Sequence, residues 1–155
     1  MTDIDEAALV AQLTQLVDER LLDPLERLLE SSSAMDSLRG WVAHLATAWA
    51  DGLLRGGETR AAATVERLIA TLYGGAAGFR PSPSWWRTPL GTVVVRRVGH
   101  PVTENVSYAV AGAMLGITRQ GVHDLVSRGK LDRHPDGGVS SLSVRTRVTG
   151  NSHAR

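Results

Sequence analysis

Between Ser107 and Leu125 the chain reads SYAVAGAMLGITRQGVHDL, with residue types at offsets that few folds satisfy. Ser107 and Thr118 are helix N-cap residues, whose hydroxyls accept from the first free amides of a helix. They predict one short helix over 108–115 and a second from Arg119 to about Ser127. Gly116, between the two, supplies the positive φ of a tight turn. Gly112, flanked by Ala111 and Ala113, is small enough to let the second helix cross closely. Leu115, Ile117, Val122 and Leu125 are expected to fill the angle between the helices.

The flanks extend this pattern. Thr88-Pro89 is a cap followed by proline at the first helical position, which predicts a helix through Val93, Val94, Val95 and Val98 ending at Gly99. The valine run also reads as a strand, and the cap tilts the reading to helix. After the second short helix come Gly129-Lys130-Leu131, then a hairpin over 132–139 that turns at Asp136-Gly137-Gly138. Ser140 or Ser141 is expected to cap a last helix through Leu142, Val144 and Val148.

Residues 105–149 of this sequence resemble the helix-turn-helix of the MerR and excisionase-type DNA-binding families. The likeness lies in Leu115-Gly116-Ile117-Thr118-Arg119-Gln120, in Gly129-Lys130-Leu131 and in the glycine hairpin beyond. It implies a winged helix-turn-helix with the hairpin as wing. MerR regulators carry this domain first, whereas here it comes last, so their metal or drug sensing is not carried over.

The outward positions of the second helix are Thr118, Arg119, Gln120, His123, Asp124 and Ser127. Such a helix fits the major groove with its N-terminal residues against base edges. Arginine pairs bidentately with guanine and glutamine with adenine, so Arg119 and Gln120 are expected to read bases, with His123 next. Thr118, Ser127, Arg128, Lys130, Arg133 and His134 are expected on the DNA backbone, and Arg145 and Arg147 either join them or stay solvated. For Asp124 two roles stand open: orienting an arginine or accepting from cytosine.

The first half has helical spacing throughout and no period-two alternation. Thr2 with Asp5, or Asp3 with Glu6, forms a capping box before Leu9, Leu13, Leu16 and Val17. Asp23-Pro24 predicts a restart, with Leu25, Leu28 and Leu29 continuing the stripe to Ser31. A third helix is expected to bury Leu38, Trp41, Val42, Leu45, Trp49 and Leu53. A fourth, from about Glu58, is expected to turn Val65, Leu68, Ile69 and Leu72 inward. Trp41 and Trp49 read as core residues in preference to a ligand pocket, and His44 as a satisfied core histidine. The acids, among them Asp18, Glu19, Glu26 and Glu30, read as a solvated face.

The expected fold is mainly α: an antiparallel helical bundle over 1–75, a linker over 76–86 and a winged helix-turn-helix over 87–155 with a short β-hairpin wing. Adjacent Trp85 and Trp86 are expected to pack between the halves, with stacking on nucleic acid as the lesser alternative. Charge divides the same way. Through Trp85 there are seven arginines against twelve acids, a net of −5, and from Trp86 onward ten basic residues against four acids, a net of +6. That asymmetry points to one polyanion-facing module joined to something else.

The chain has no cysteine, which excludes disulfides and thiolate metal sites. No phosphate loop, no paired acid and base and no metal-ligand spacing stands out, so neither enzyme activity nor cofactor nor metal is expected. The acidic start and a longest apolar run of ten residues predict a cytoplasmic, nucleoid-associated protein without membrane contact.

A single module of this kind buries only about 600–1,000 Å² on DNA, so a homodimer through residues 1–75 is expected, reading two half-sites of double-stranded DNA. The favoured function is sequence-specific DNA binding by a bacterial transcriptional regulator. An excisionase-like or partition-type architectural factor is the second reading. A protein-interaction module for the transcription machinery is the third. The sequence assigns no small-molecule effector.

Overall fold

A computed structural model describes residues 3–153. The chain is mainly helical, with one two-stranded antiparallel sheet, and it divides into two compact units, Asp3–Gly78 and Phe79–Arg155.

In the first unit α1 (Glu6–Val17) starts at Asp5, whose carboxylate accepts from the Ala7 amide at 3.0 Å. Neither expected capping box sets this start: Asp3 lies two residues before the cap, and Thr2 lies outside the described residues. Leu9, Leu13 and Val17 recur every four residues and are buried, while Leu16 is half-buried. The restart expected at Asp23 is not a break. A π-helical turn, Asp18–Leu22, runs straight into α2 (Asp23–Leu29), and the Asp23 amide bonds to the Asp18 carbonyl five residues back. The wider turn keeps the run helical up to a proline that has no amide hydrogen to give.

Asp23 therefore caps nothing. Its carboxylate and that of Glu26 accept from the Arg39 guanidinium of α3 (Ser32–Arg55) at 3.0 and 2.6 Å, with Asp18 at 4.0 Å. Of the acids read as a solvated face, Asp18 and Glu26 are thus gathered on one cation, while Glu19, Glu30 and Glu66 are exposed.

The buried line of α3 is Met35, Val42, Ala46, Ala50 and Leu53. Leu38 and Trp41, expected in the core, are 42% and 69% exposed, and Leu45 and Trp49 are half-buried. His44 is exposed rather than enclosed. The physical reason is close approach. Helix α3 packs against α1 and against α4 (Glu58–Tyr73), and alanines at 46, 50 and 61 let the backbones come near. The large side chains are left on a neighbouring stripe. On α4, Val65, Leu68, Ile69 and Leu72 do face inward, joined by Ala61 and Thr64.

The second unit begins earlier than the linker reading allows. Residues 79–86 belong to it, and Phe79 and Trp86 are 3% and 2% exposed. At this boundary the net side-chain charges become −6 and +7. A 3-10 turn, Pro83–Arg87, leads to α5 (Pro89–Val98), so the valine run is helical. Thr88 joins the two elements: its hydroxyl accepts from the Gly91 amide at 3.2 Å and donates to the Trp85 carbonyl at 2.6 Å. Trp86 packs edge-on against Phe79, with ring centroids 6.0 Å apart, and lies 5.0 Å from the His100 ring.

His100 carries a pH dependence. Its Nδ1 accepts from the Val102 and Thr103 amides at 3.2 and 3.1 Å, which requires that nitrogen to be unprotonated. Burial pushes its pKa down from 6.5 to about 4. Between those values the unfolded chain takes up a proton that the folded unit refuses, so stability falls as pH drops from 6.5 towards 4. Urea midpoints at pH 7.5 and 4.5 should fall further for the wild type than for His100→Asn. Equal shifts in the two proteins would refute this assignment.

The core of the unit is built by α5, α6 (Tyr108–Leu115) and α8 (Ser141–His153), with Leu90, Val93, Val94, Val95, Ala111 and Val144 buried. Strand β1 (Asn105–Val106) pairs antiparallel with β2 (Val139–Ser140), in register Asn105↔Ser140 and Val106↔Val139. Ser140, not Ser141, caps α8 by accepting from the Ser143 amide at 3.3 Å, while the Ser141 hydroxyl donates to the Thr103 carbonyl at 3.0 Å.

Candidate nucleic-acid interface

Helix α6 begins where Ser107 accepts from the Val110 amide at 3.2 Å, and α7 (Arg119–Ser127) where Thr118 accepts from the Gly121 amide at 3.0 Å. Gly116 between them has φ 71 and ψ 29, a left-handed conformation that costs glycine nothing. The Ile117 amide then bonds back to the Gly112 carbonyl at 2.9 Å. A Cβ on Gly112 would stand 2.8 Å from the Ile117 carbonyl oxygen, so a small residue is demanded by the turn itself. Val122 is fully buried, whereas Leu115, Ile117 and Leu125 are half-buried; Ala111, Ala113 and Met114 supply the rest of the apolar contact surface.

This geometry leaves Thr118, Arg119, Gln120, His123, Asp124 and Ser127 exposed on α7. Three of them already have neighbours. The Gln120 Nε2 donates to Asp124 Oδ1 at 3.1 Å, and His123 lies edge-on to Tyr108, with centroids 6.1 Å apart. In the free protein Asp124 thus orients a glutamine, a role the sequence reading did not contain.

Beyond α7, Leu131 is buried while Arg128, Lys130 and Arg133 stay exposed. The hairpin is closed by bonds from the His134 amide to the Gly138 carbonyl and from the Gly137 amide to the His134 carbonyl, at 3.1 and 3.0 Å. Arg133 bridges to Val139, and Asn105 Nδ2 donates to the Gly137 carbonyl at 2.9 Å. Gly138 has φ 75, and a Cβ there would collide with the Val106 carbonyl. The hairpin is thereby tied to the strand that precedes α6.

His134 differs from the other residues of this set. Its side chain is only 17% exposed and its Nδ1 accepts from the Asp136 amide at 3.1 Å, so it shapes the turn. Two features escaped the sequence reading. Strand β1 is two residues long, too short to show a period. Arg147 lines an open groove of about 430 Å³ with Lys130, Ser143, Thr146 and Asn151, a neighbourhood made by α8 returning past the hairpin.

Trp86 is too deeply buried to stack on a nucleic acid, and Trp85 is half-buried. Among the described residues no helix is long and apolar enough to cross a membrane. Comparison of the chain with family models, with curated proteins and with solved structures finds no match.

Proposed function

We propose that this chain binds double-stranded DNA sequence-specifically, as a bacterial transcriptional regulator, through a winged helix-turn-helix formed by residues 105–149. The observation that carries this reading is the exposed, unobstructed N-terminal turn of α7, where Arg119 and Gln120 stand side by side behind the Thr118 cap. A helix end of this kind enters a major groove with its first residues on the bases and its amide dipoles towards phosphate. The hairpin over 132–140 acts as the wing, and Arg128, Lys130, Arg133 and Arg147 face the DNA backbone. The +7 of this unit supplies the long-range attraction, and the −6 of the other keeps it off the polyanion. The first unit makes the homodimer that presents two recognition helices to two half-sites.

Selection from random duplexes should enrich one motif, with affinity falling steeply in salt. Lys130→Ala with Arg133→Ala should weaken binding to every sequence alike. Each lost phosphate contact should lower the salt slope by about 0.9. Binding without sequence enrichment, or a slope unchanged in that variant, would count against the assignment.

A further inference from the structure

We infer that the stripe Leu38–Trp41–Leu45–Trp49 on α3 is the face on which two copies of this chain pair, antiparallel about a twofold axis. The inference rests on the dimer part of the proposed function and gives it a surface. At 100° per residue, Ala34, Ser37, Leu38, Trp41, Leu45, Ala48 and Trp49 fall within about 120° of the helix circumference, beside the buried line. Trp41 is 69% exposed and Leu38 42%; the other exposed large apolar side chains of this unit, Leu21, Leu25, Leu28 and Leu29, lie off this stripe on the π-helical turn and α2. Tryptophan held in water at the middle of an apolar stripe is typical of a binding hot spot.

Two observations name a second copy as the occupant. The first is charge. Between Asp36 and Asp51 the only charged residue is Arg39, and it is turned aside onto Asp23 and Glu26. A band without free charge is where two units of net −6 can meet with no like charges in contact, whereas a basic partner would seek the acids.

The second is shape. A twofold axis midway between Trp41 and Leu45 sets Leu38 opposite Ala48, Trp49 opposite Ser37 and Trp41 opposite Leu45. Large side chains then meet small ones at the two flanking pairs, while at the centre each Trp41 packs on the Leu45 of the other copy, a self-complementary arrangement.

The rival surface is the set of leucines on α2, where Leu28 is 80% exposed and Leu29 52%. The full chain, without DNA, should sediment as a dimer at about 50 µM. Trp41→Glu should weaken association at least about 30-fold, a hot-spot loss, with an unchanged circular dichroism spectrum because the side chain lies outside the core. Leu28→Lys should leave the dimer intact. Because the chain has no cysteine, the register can be read directly. A mixture of Leu38→Cys and Ala48→Cys proteins should form mixed disulfides faster than either forms its own.

A wild type that stays monomeric overturns the dimer itself. A dimer that survives Trp41→Glu, or that Leu28→Lys dissolves, overturns the surface. Absence of excess mixed disulfide overturns the register. None of these results touches the α7 reading, which is tested on DNA.

Discussion

Arg119→Ala combined with Gln120→Ala is expected to erase the protein's discrimination among duplex sequences while leaving its fold and its weak general affinity for DNA. Both side chains are exposed on the first turn of α7, and neither supplies the cap, which is the Thr118 hydroxyl. Removing them uncovers no core. A good bidentate pair with a base is worth about 1–3 kcal/mol of discrimination, so each loss lowers the preference roughly 5- to 150-fold. The two shares are unequal. Gln120 must give up or share its 3.1 Å bond to Asp124 before its amide can meet an adenine, whereas among the described residues the Arg119 guanidinium meets no hydrogen-bond or ion-pair partner. The single Arg119→Ala variant should therefore carry most of the loss. The check is the ratio of affinities for the selected site and a scrambled duplex at one salt concentration. That ratio should fall close to one in the double variant. An unchanged ratio would mean that α7 does not read bases.

Trp86→Ala should unfold the second unit or nearly so. The indole is 2% exposed and packed against Phe79, Trp85 and His100, with centroids 4.9 to 6.0 Å away. Truncating a buried tryptophan to alanine costs about 3–5 kcal/mol, since the cavity relaxes only in part. Whole domains are stable by only about 5–15 kcal/mol. Trp86→Phe should cost much less. Among the described residues the indole Nε1–H finds no acceptor, so the smaller ring removes an unpaired buried donor together with some packing. Amide exchange on the full chain is the measurement. Protection should be lost across α5, α6 and α8 in Trp86→Ala and retained across α1, α3 and α4, with DNA affinity falling in parallel. Wild-type protection in α5 would show that the aromatic cluster does not hold this unit together.

The C-terminal unit was far more legible than the N-terminal one, and Thr118 shows why. A cap, a turn and a glycine act on backbone within about four residues, so their effect is written where they stand. Ser107, Thr118 and Thr88 start helices at the residues their hydroxyls imply, and Gly116 turns where its missing Cβ allows. Asp23-Pro24 carried the same kind of local signal and misled, because the π-helical turn before it absorbed the proline and Arg39 claimed the carboxylate. Of the candidate site, the α7 face could be read from spacing. The Asp124–Gln120 bond and the inward role of His134 could not, since both depend on which neighbour a rotamer meets.

Trp41 marks the boundary between the two kinds of knowledge. The sequence by itself determined where the helices of the second unit begin, where the short pair turns, and that acid and base are segregated along its length. It determined these because caps, glycines and charge counts act locally or add without regard to fold. Only the tertiary structure decided which side of α3 is core. Its face is chosen by how closely alanines on α3 and α4 let backbones approach. That choice, made by residues distant in sequence, buried Ala46 and Ala50 and left a tryptophan in water.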